Sequence, residues 1–166
     1  MKNHSHQALG ALSISPASGA LGAVIEGLDI SKLNSAQVAA IRPLLDEYSV
    51  LVFPDQKLTP EEQIAFTAHF GPVEQHPLYR SAILDGYPEI LVLEHKNHEW
   101  VNGRNDVWHS DVTFSEEPPL GSVLYCRAIT EGLGDTLFCS MRRAYDTLSL
   151  GMQQMLGQLS AEHSSA

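Results

Sequence analysis

The stretch Trp108-His109-Ser110-Asp111-Val112-Thr113-Phe114, followed shortly by Pro118-Pro119, decides how this sequence is read. In an extended chain the side chains of residues i and i+2 point to the same face. His109 and Asp111 therefore converge on one point, and Ser110 faces away. An imidazole beside a carboxylate suits Fe(II) or another borderline divalent cation. One more histidine would complete a facial triad of two histidines and one carboxylate, with three positions left open. His-x-Asp alone is a weak signal, because the same pair also serves as a surface hydrogen-bonded couple. The flanking sequence has to decide.

Upstream, residues 95–107 are polar, with Asn97, Asn102, Gly103 and Asn105, and read as a long loop; such loops are often functional. His95 and His98 lie in it and offer a third ligand, with nothing further to support that role. Residues 89–93 read as a strand. Thr59, Pro60 and Glu62 form a helix start: N-cap, first-turn proline and capping box. That helix runs through Ile64, Ala65, Ala68 and Phe70 and stops at Gly71, with His69 read as structural or exposed. Residues 49–53 are a compact, β-branched run and read as a buried strand, closed by a Pro54-Asp55 turn. Before it, short strands are expected near 12–15 and 23–26. Asn34 or Ser35 then caps a helix whose Val38, Ile41, Leu44 and Leu45 recur at helical spacing. Downstream, 122–128 and 136–139 read as strands joined by a turn at 131–134. Residues 141–148 and 151–159 read as helices. Residues 1–10, with His4 and His6, are expected to be a disordered tail.

Composition narrows the function. The 166 residues suit one domain with a sizeable core. Twenty acidic against 10 basic residues leave a net charge of −10, which repels phosphate backbones and argues against nucleic acid. No apolar run approaches the roughly 20 residues of a membrane helix, and the N-terminus lacks a secretory core. A cytoplasmic location is the expectation. Cys126 and Cys139 are widely spaced, without a CxxC, and read as buried free thiols. The Glu116-Glu117 pair reads as solvated.

With its surroundings, the His109/Asp111 segment resembles the iron-binding segment of the taurine dioxygenase (TauD/TfdA) family. The likeness extends upstream to Val52-Phe53, Asp55-Gln56, Leu58-Thr59-Pro60 and Phe70-Gly71, and downstream to Gly134-Asp135-Thr136-Leu137. The resemblance implies an Fe(II)- and 2-oxoglutarate-dependent dioxygenase that hydroxylates a small organic anion. Taurine or a related sulfonate, with release of sulfite, is the leading case; sulfate esters and carboxylates are neighbouring ones. It implies His109 and Asp111 as iron ligands and Thr136 as a hydrogen-bond donor to the 2-oxoglutarate carboxylate. His76, Tyr79 and Asn105 match positions that contact the sulfonate, and each offers N–H or O–H donors to an oxyanion. The alternative for His76 and Tyr79 is that they tie down a loop, and for Thr136 that it is an ordinary strand residue. Trp108 is expected to wall the metal site.

The implied fold is mainly β with flanking helices (α+β), a partial double-stranded β-helix, or jelly roll. Residues 11–166 would be its N-terminal portion, with the C-terminal strands missing. The family's second histidine and its 2-oxoglutarate-binding arginine have no match here. Arg142 and Arg143 follow the Gly-Asp-Thr segment too closely, and His163 matches an Ala-Glu-His segment that is not a metal ligand. Two protein ligands hold Fe(II) more weakly than three, and unpaired strands would leave open edges. A truncated product, a deliberate fragment or a homo-oligomer covering that surface are the resulting expectations. An inactive dioxygenase remnant and a cupin-like metal isomerase or hydrolase are the alternative functions.

Overall fold

The structure, a computed structural model, describes residues 13–96, 99–100 and 107–165. The tail at 1–10, His98 and Asn105 lie outside the described residues, as does the side chain of His95. The chain divides into two compact units. One takes the described residues up to Lys57 together with Cys126–Glu162; the other takes Leu58–Tyr125 and the residues from His163 onward.

In the first unit, β1 (Ser13–Pro16) pairs antiparallel with β2 (Ala23–Glu26), and β2 pairs parallel with β3 (Leu51–Val52). The parallel step needs a crossover, which is supplied by helix α1 (Ser35–Tyr48). Asn34 caps α1, accepting from the Gln37 N–H while the Gln37 side chain accepts from the Asn34 N–H. Ala40, Ile41 and Leu44 form its buried face, and Ala23, Ile25, Leu28 and Ile30 are buried with them. Pro43 lies inside this helix, where it removes one backbone donor. Burial of residues on both sides of it outweighs that loss. Ser49, in the left-handed conformation, ends α1, and its N–H returns to the Leu45 carbonyl at 2.7 Å. The expected buried strand at 49–53 is therefore trimmed to two residues, neither of them buried.

The turn between β1 and β2 requires glycine at position 22. Its φ is +90°, and a Cβ there would meet the Ala17 Cβ at 3.1 Å. After β3, Gln56 secures the chain: its Nε2 donates to the Leu28 and Pro54 carbonyls, both at 2.8 Å, and its Oε1 accepts the Ile30 N–H at 3.0 Å.

In the second unit, helix α2 (Pro60–Ala68) has the expected Thr59/Glu62 capping box. It buries Phe66, whose ring meets Phe70 edge-on at 5.4 Å. Strand β4 (Ile83–Leu84) pairs with β5 (Tyr87–Leu91) across an Asp85-Gly86 turn. Aspartate-glycine is a hairpin signature, and Gly86 has the positive φ such a turn needs. The Tyr87 hydroxyl donates to Glu61 in the first turn of α2. That bond holds the Glu61 carboxyl below its usual range and raises the Tyr87 phenol. The segment expected as one long loop begins with a hairpin, β6 (His95–Lys96) against β7 (Glu99–Trp100).

Two expected strands are absent. Residues 122–130 and 133–139 have no regular structure. A strand needs a neighbour to hydrogen-bond, and no strand among the described residues pairs with either run. No side chain there is buried, and Cys126 and Cys139 are free but exposed rather than buried. Helices α3 (Met141–Asp146) and α4 (Leu150–Leu156) form where expected, capped by Ser140 and Ser149, and bury nothing. No helix of the described residues is long and apolar enough to cross a membrane.

Candidate metal centre

His109 and Asp111 come together. His109 Nε2 lies 3.2 Å from Asp111 Oδ1. His109 Nδ1 lies 2.8 Å from the Val107 carbonyl. A carbonyl only accepts, so Nδ1 carries a proton, and Nε2 is the ring nitrogen turned toward Asp111. A proton or a cation between Nε2 and Oδ1 makes this approach favourable. Two ligands at right angles, each ~2.1 Å from an octahedral metal, are about 3 Å apart. The observed separation fits adjacent positions of such a site, and the imidazole–carboxylate set fits iron.

The second oxygen of Asp111 is engaged as well, since Ser122 Oγ donates to Oδ2 at 2.8 Å. The chain turns sharply just after the pair: Val112 has φ +52°, and the Ser115 N–H closes onto the Val112 carbonyl at 3.1 Å. A β-branched residue rarely enters this left-handed region. Thr113 Oγ1 is 2.8 Å from His163 Nδ1, 50 positions along the chain.

Both side chains of the pair are about half exposed, 48% for His109 and 51% for Asp111. Trp108 does not wall them in, being 70% exposed. Among the described residues no third His, Cys, Asp or Glu joins the pair. His69 and the Glu116-Glu117 pair are exposed.

His76 accepts backbone N–H groups from Leu78 at 3.2 Å and Tyr79 at 3.3 Å, both on Nδ1. Its ring packs against that of Tyr79 with centroids 4.8 Å apart. The loop-tying reading therefore holds. The same geometry puts the ring proton on Nε2, which makes that nitrogen a hydrogen-bond donor. Thr136 belongs to the other unit, exposed and outside any strand. Gly134, two residues earlier, has φ +74°, and a Cβ there would approach the Ile129 side chain at 3.3 Å.

Comparison with known proteins settles the ancestry. The family model for taurine catabolism dioxygenase, TauD/TfdA family, matches residues 13–166. The chain belongs to this family. It is 37% identical over 153 residues to the α-ketoglutarate-dependent 2,4-dichlorophenoxyacetate dioxygenase of Cupriavidus pinatubonensis, covering 84% of this chain and 53% of that protein. It is 31% identical over 155 residues to the α-ketoglutarate-dependent sulfate ester dioxygenase of Pseudomonas putida, covering 92% of this chain and 50% of that one. The solved taurine dioxygenase of Burkholderia xenovorans superposes with a TM-score of 0.64 at 26% identity, over 89% of this chain and 51% of its own. The chain thus spans about half the length of the relatives it matches.

Two features of this TauD/TfdA chain escape a reading of motifs alone. Ser122 sits in a run that reads only as a strand, and its bond to Asp111 appears only in three dimensions. Gln56 was visible as part of an Asp-Gln pattern, but its three hydrogen bonds were not.

Proposed function

We propose that this chain carries the metal-binding segment of an Fe(II)- and 2-oxoglutarate-dependent dioxygenase acting on a small organic anion. Its iron, when bound, couples oxidative decarboxylation of 2-oxoglutarate to hydroxylation of a substrate C–H bond. The observation that carries this reading is the 3.2 Å approach of His109 Nε2 to Asp111 Oδ1, with Nδ1 and Oδ2 already occupied by other partners. A ring held by its far nitrogen presents one defined lone pair to a metal.

Thr136 supplies a hydroxyl to a carboxylate of 2-oxoglutarate. His76 Nε2–H, the Tyr79 hydroxyl and the Asn105 amide supply neutral donors to the substrate anion. Neutral donors match a sulfonate, whose single charge is spread over three oxygens. Taurine or a related sulfonate, released as sulfite and an aldehyde after hydroxylation, is the substrate we favour. The relatives named for a phenoxyacetate and for sulfate esters mark the wider class of anions. A cytoplasmic setting, the double-stranded β-helix as the complete fold, and iron as the metal belong to the same proposal.

The test is anaerobic titration of the full chain with Fe(II), with and without 2-oxoglutarate, for wild type and His109→Ala. A visible charge-transfer band that requires both additions and disappears in the variant is expected. Identical responses from the two proteins would reduce the family likeness to ancestry without a working site.

A further inference from the structure

We infer that Ser122 is a positioning residue for the metal pair, an inference that rests on the function proposed above. Its hydroxyl donates to Asp111 Oδ2 at 2.8 Å. A carboxylate free to rotate presents either oxygen in turn. With Oδ2 tied, Oδ1 is the oxygen turned toward His109 Nε2. Partners of this kind, one bond removed from the metal, orient ligands and raise affinity.

A serine in an irregular stretch is a poor anchor unless the stretch itself is held. Its neighbours hold it. Gln63 Nε2 in α2 donates to the Val123 carbonyl at 3.4 Å, and the Tyr125 hydroxyl accepts the Leu58 N–H at 3.1 Å. Leu58 is buried and immediately precedes the α2 cap, so both contacts originate at a firmly capped helix start. The path runs from the Thr59/Glu62 capping box, through residues 122–125, to Asp111.

The turn that follows Asp111 needs such support. Val112 adopts a conformation that persists only where the surroundings hold it. Ser122 grips the turn at Asp111, and His163 grips it at Thr113. Nothing in the ligand pattern itself names Ser122, whose role follows from geometry alone.

The experiment is anaerobic titration of the full chain with Co(II), read by its visible d–d absorption. Wild type, Ser122→Ala, Ser122→Thr and His109→Ala are compared, each with its thermal midpoint. Ser122 is exposed, so the alanine variant removes a hydroxyl and little packing. Co(II) binding is expected to weaken on the order of tenfold in Ser122→Ala at an unchanged midpoint, and to recover in Ser122→Thr. Wild-type affinity in Ser122→Ala, with binding abolished in His109→Ala, would overturn the role of Ser122 alone. A parallel fall of affinity and midpoint in both Ser122 variants would also overturn it, since the role would then be structural. Equal binding by wild type and His109→Ala would instead sink the metal-pair reading, and this inference with it.

Discussion

Residues 13–52 and residues 107–165 are both rich in apolar side chains, yet they treat them in opposite ways. In the first region Ala23, Ile25, Ile41 and Leu44 are almost wholly withdrawn from water. In the second, Leu120, Leu124, Ile129, Leu137, Phe138, Met141 and Leu150 all stand more than half exposed, and no residue there is buried. The helices make the contrast sharpest. α1, α3 and α4 each begin with a side chain capping the first turn, at Asn34, Ser140 and Ser149. Only α1 has a sheet beside it in sequence, with β2 before and β3 after, and only α1 buries a face. Capping starts a helix; burial requires a partner, and capping does not provide one.

The largest expected difference comes from the same substitution made in both regions. Leu44 is 2% exposed and Leu137 71%. Leu44→Ala should lower the unfolding free energy by about 2–5 kcal/mol, and Leu137→Ala by less than about 0.5 kcal/mol, in urea denaturation of the full chain. Equal losses would show that residues 107–165 have a core of their own and would erase the contrast.

A smaller effect tests whether caps count equally where burial differs. Thr59→Ala removes the cap of α2, which buries Phe66, and should cost about 1 kcal/mol. Ser149→Ala removes the cap of α4, which buries nothing, and should leave global unfolding unchanged while helical circular dichroism falls slightly. A global loss from Ser149→Ala would tie α4 to the cooperative core.

The smallest effect concerns the rim of the packed region. Asp29 caps the 3-10 turn Ile30–Lys32. The Lys32 ammonium, 2.8 Å away, and then the Ser31 hydroxyl and N–H hold its carboxyl down at about 2. A depressed carboxylate contributes stability above its ordinary value of 3.8 and loses it as the pH falls through about 2. Wild type should therefore lose slightly more stability than Asp29→Asn between pH 4 and pH 2. The pair is exposed, so the difference is small. Identical pH profiles would show that the turn is held by Ile30 burial and Gln56 alone.

The candidate site divides along the same line. His109 and Asp111 were legible because two residues apart on an extended chain meet through local geometry. His76 and Tyr79 were legible as a pair for the same reason, being three residues apart in one loop. Thr136 was legible only through resemblance, and its expected strand did not form: no strand among the described residues pairs with it. The buried thiols and the Trp108 wall failed with it, since burial is a property of what lies opposite.

By itself the sequence determined the capped starts of α1 and α2, the strand at 23–26, the His109/Asp111 pair and the family, all signals carried within a few residues or in their order along the chain. The tertiary structure alone decided which apolar residues are buried and that Gln56 fastens the first core. It also placed Ser122 on Asp111 and His163 on Thr113. These contacts join residues 11 to 50 positions apart, and side chains at such separations meet only once the backbone between them has found its path.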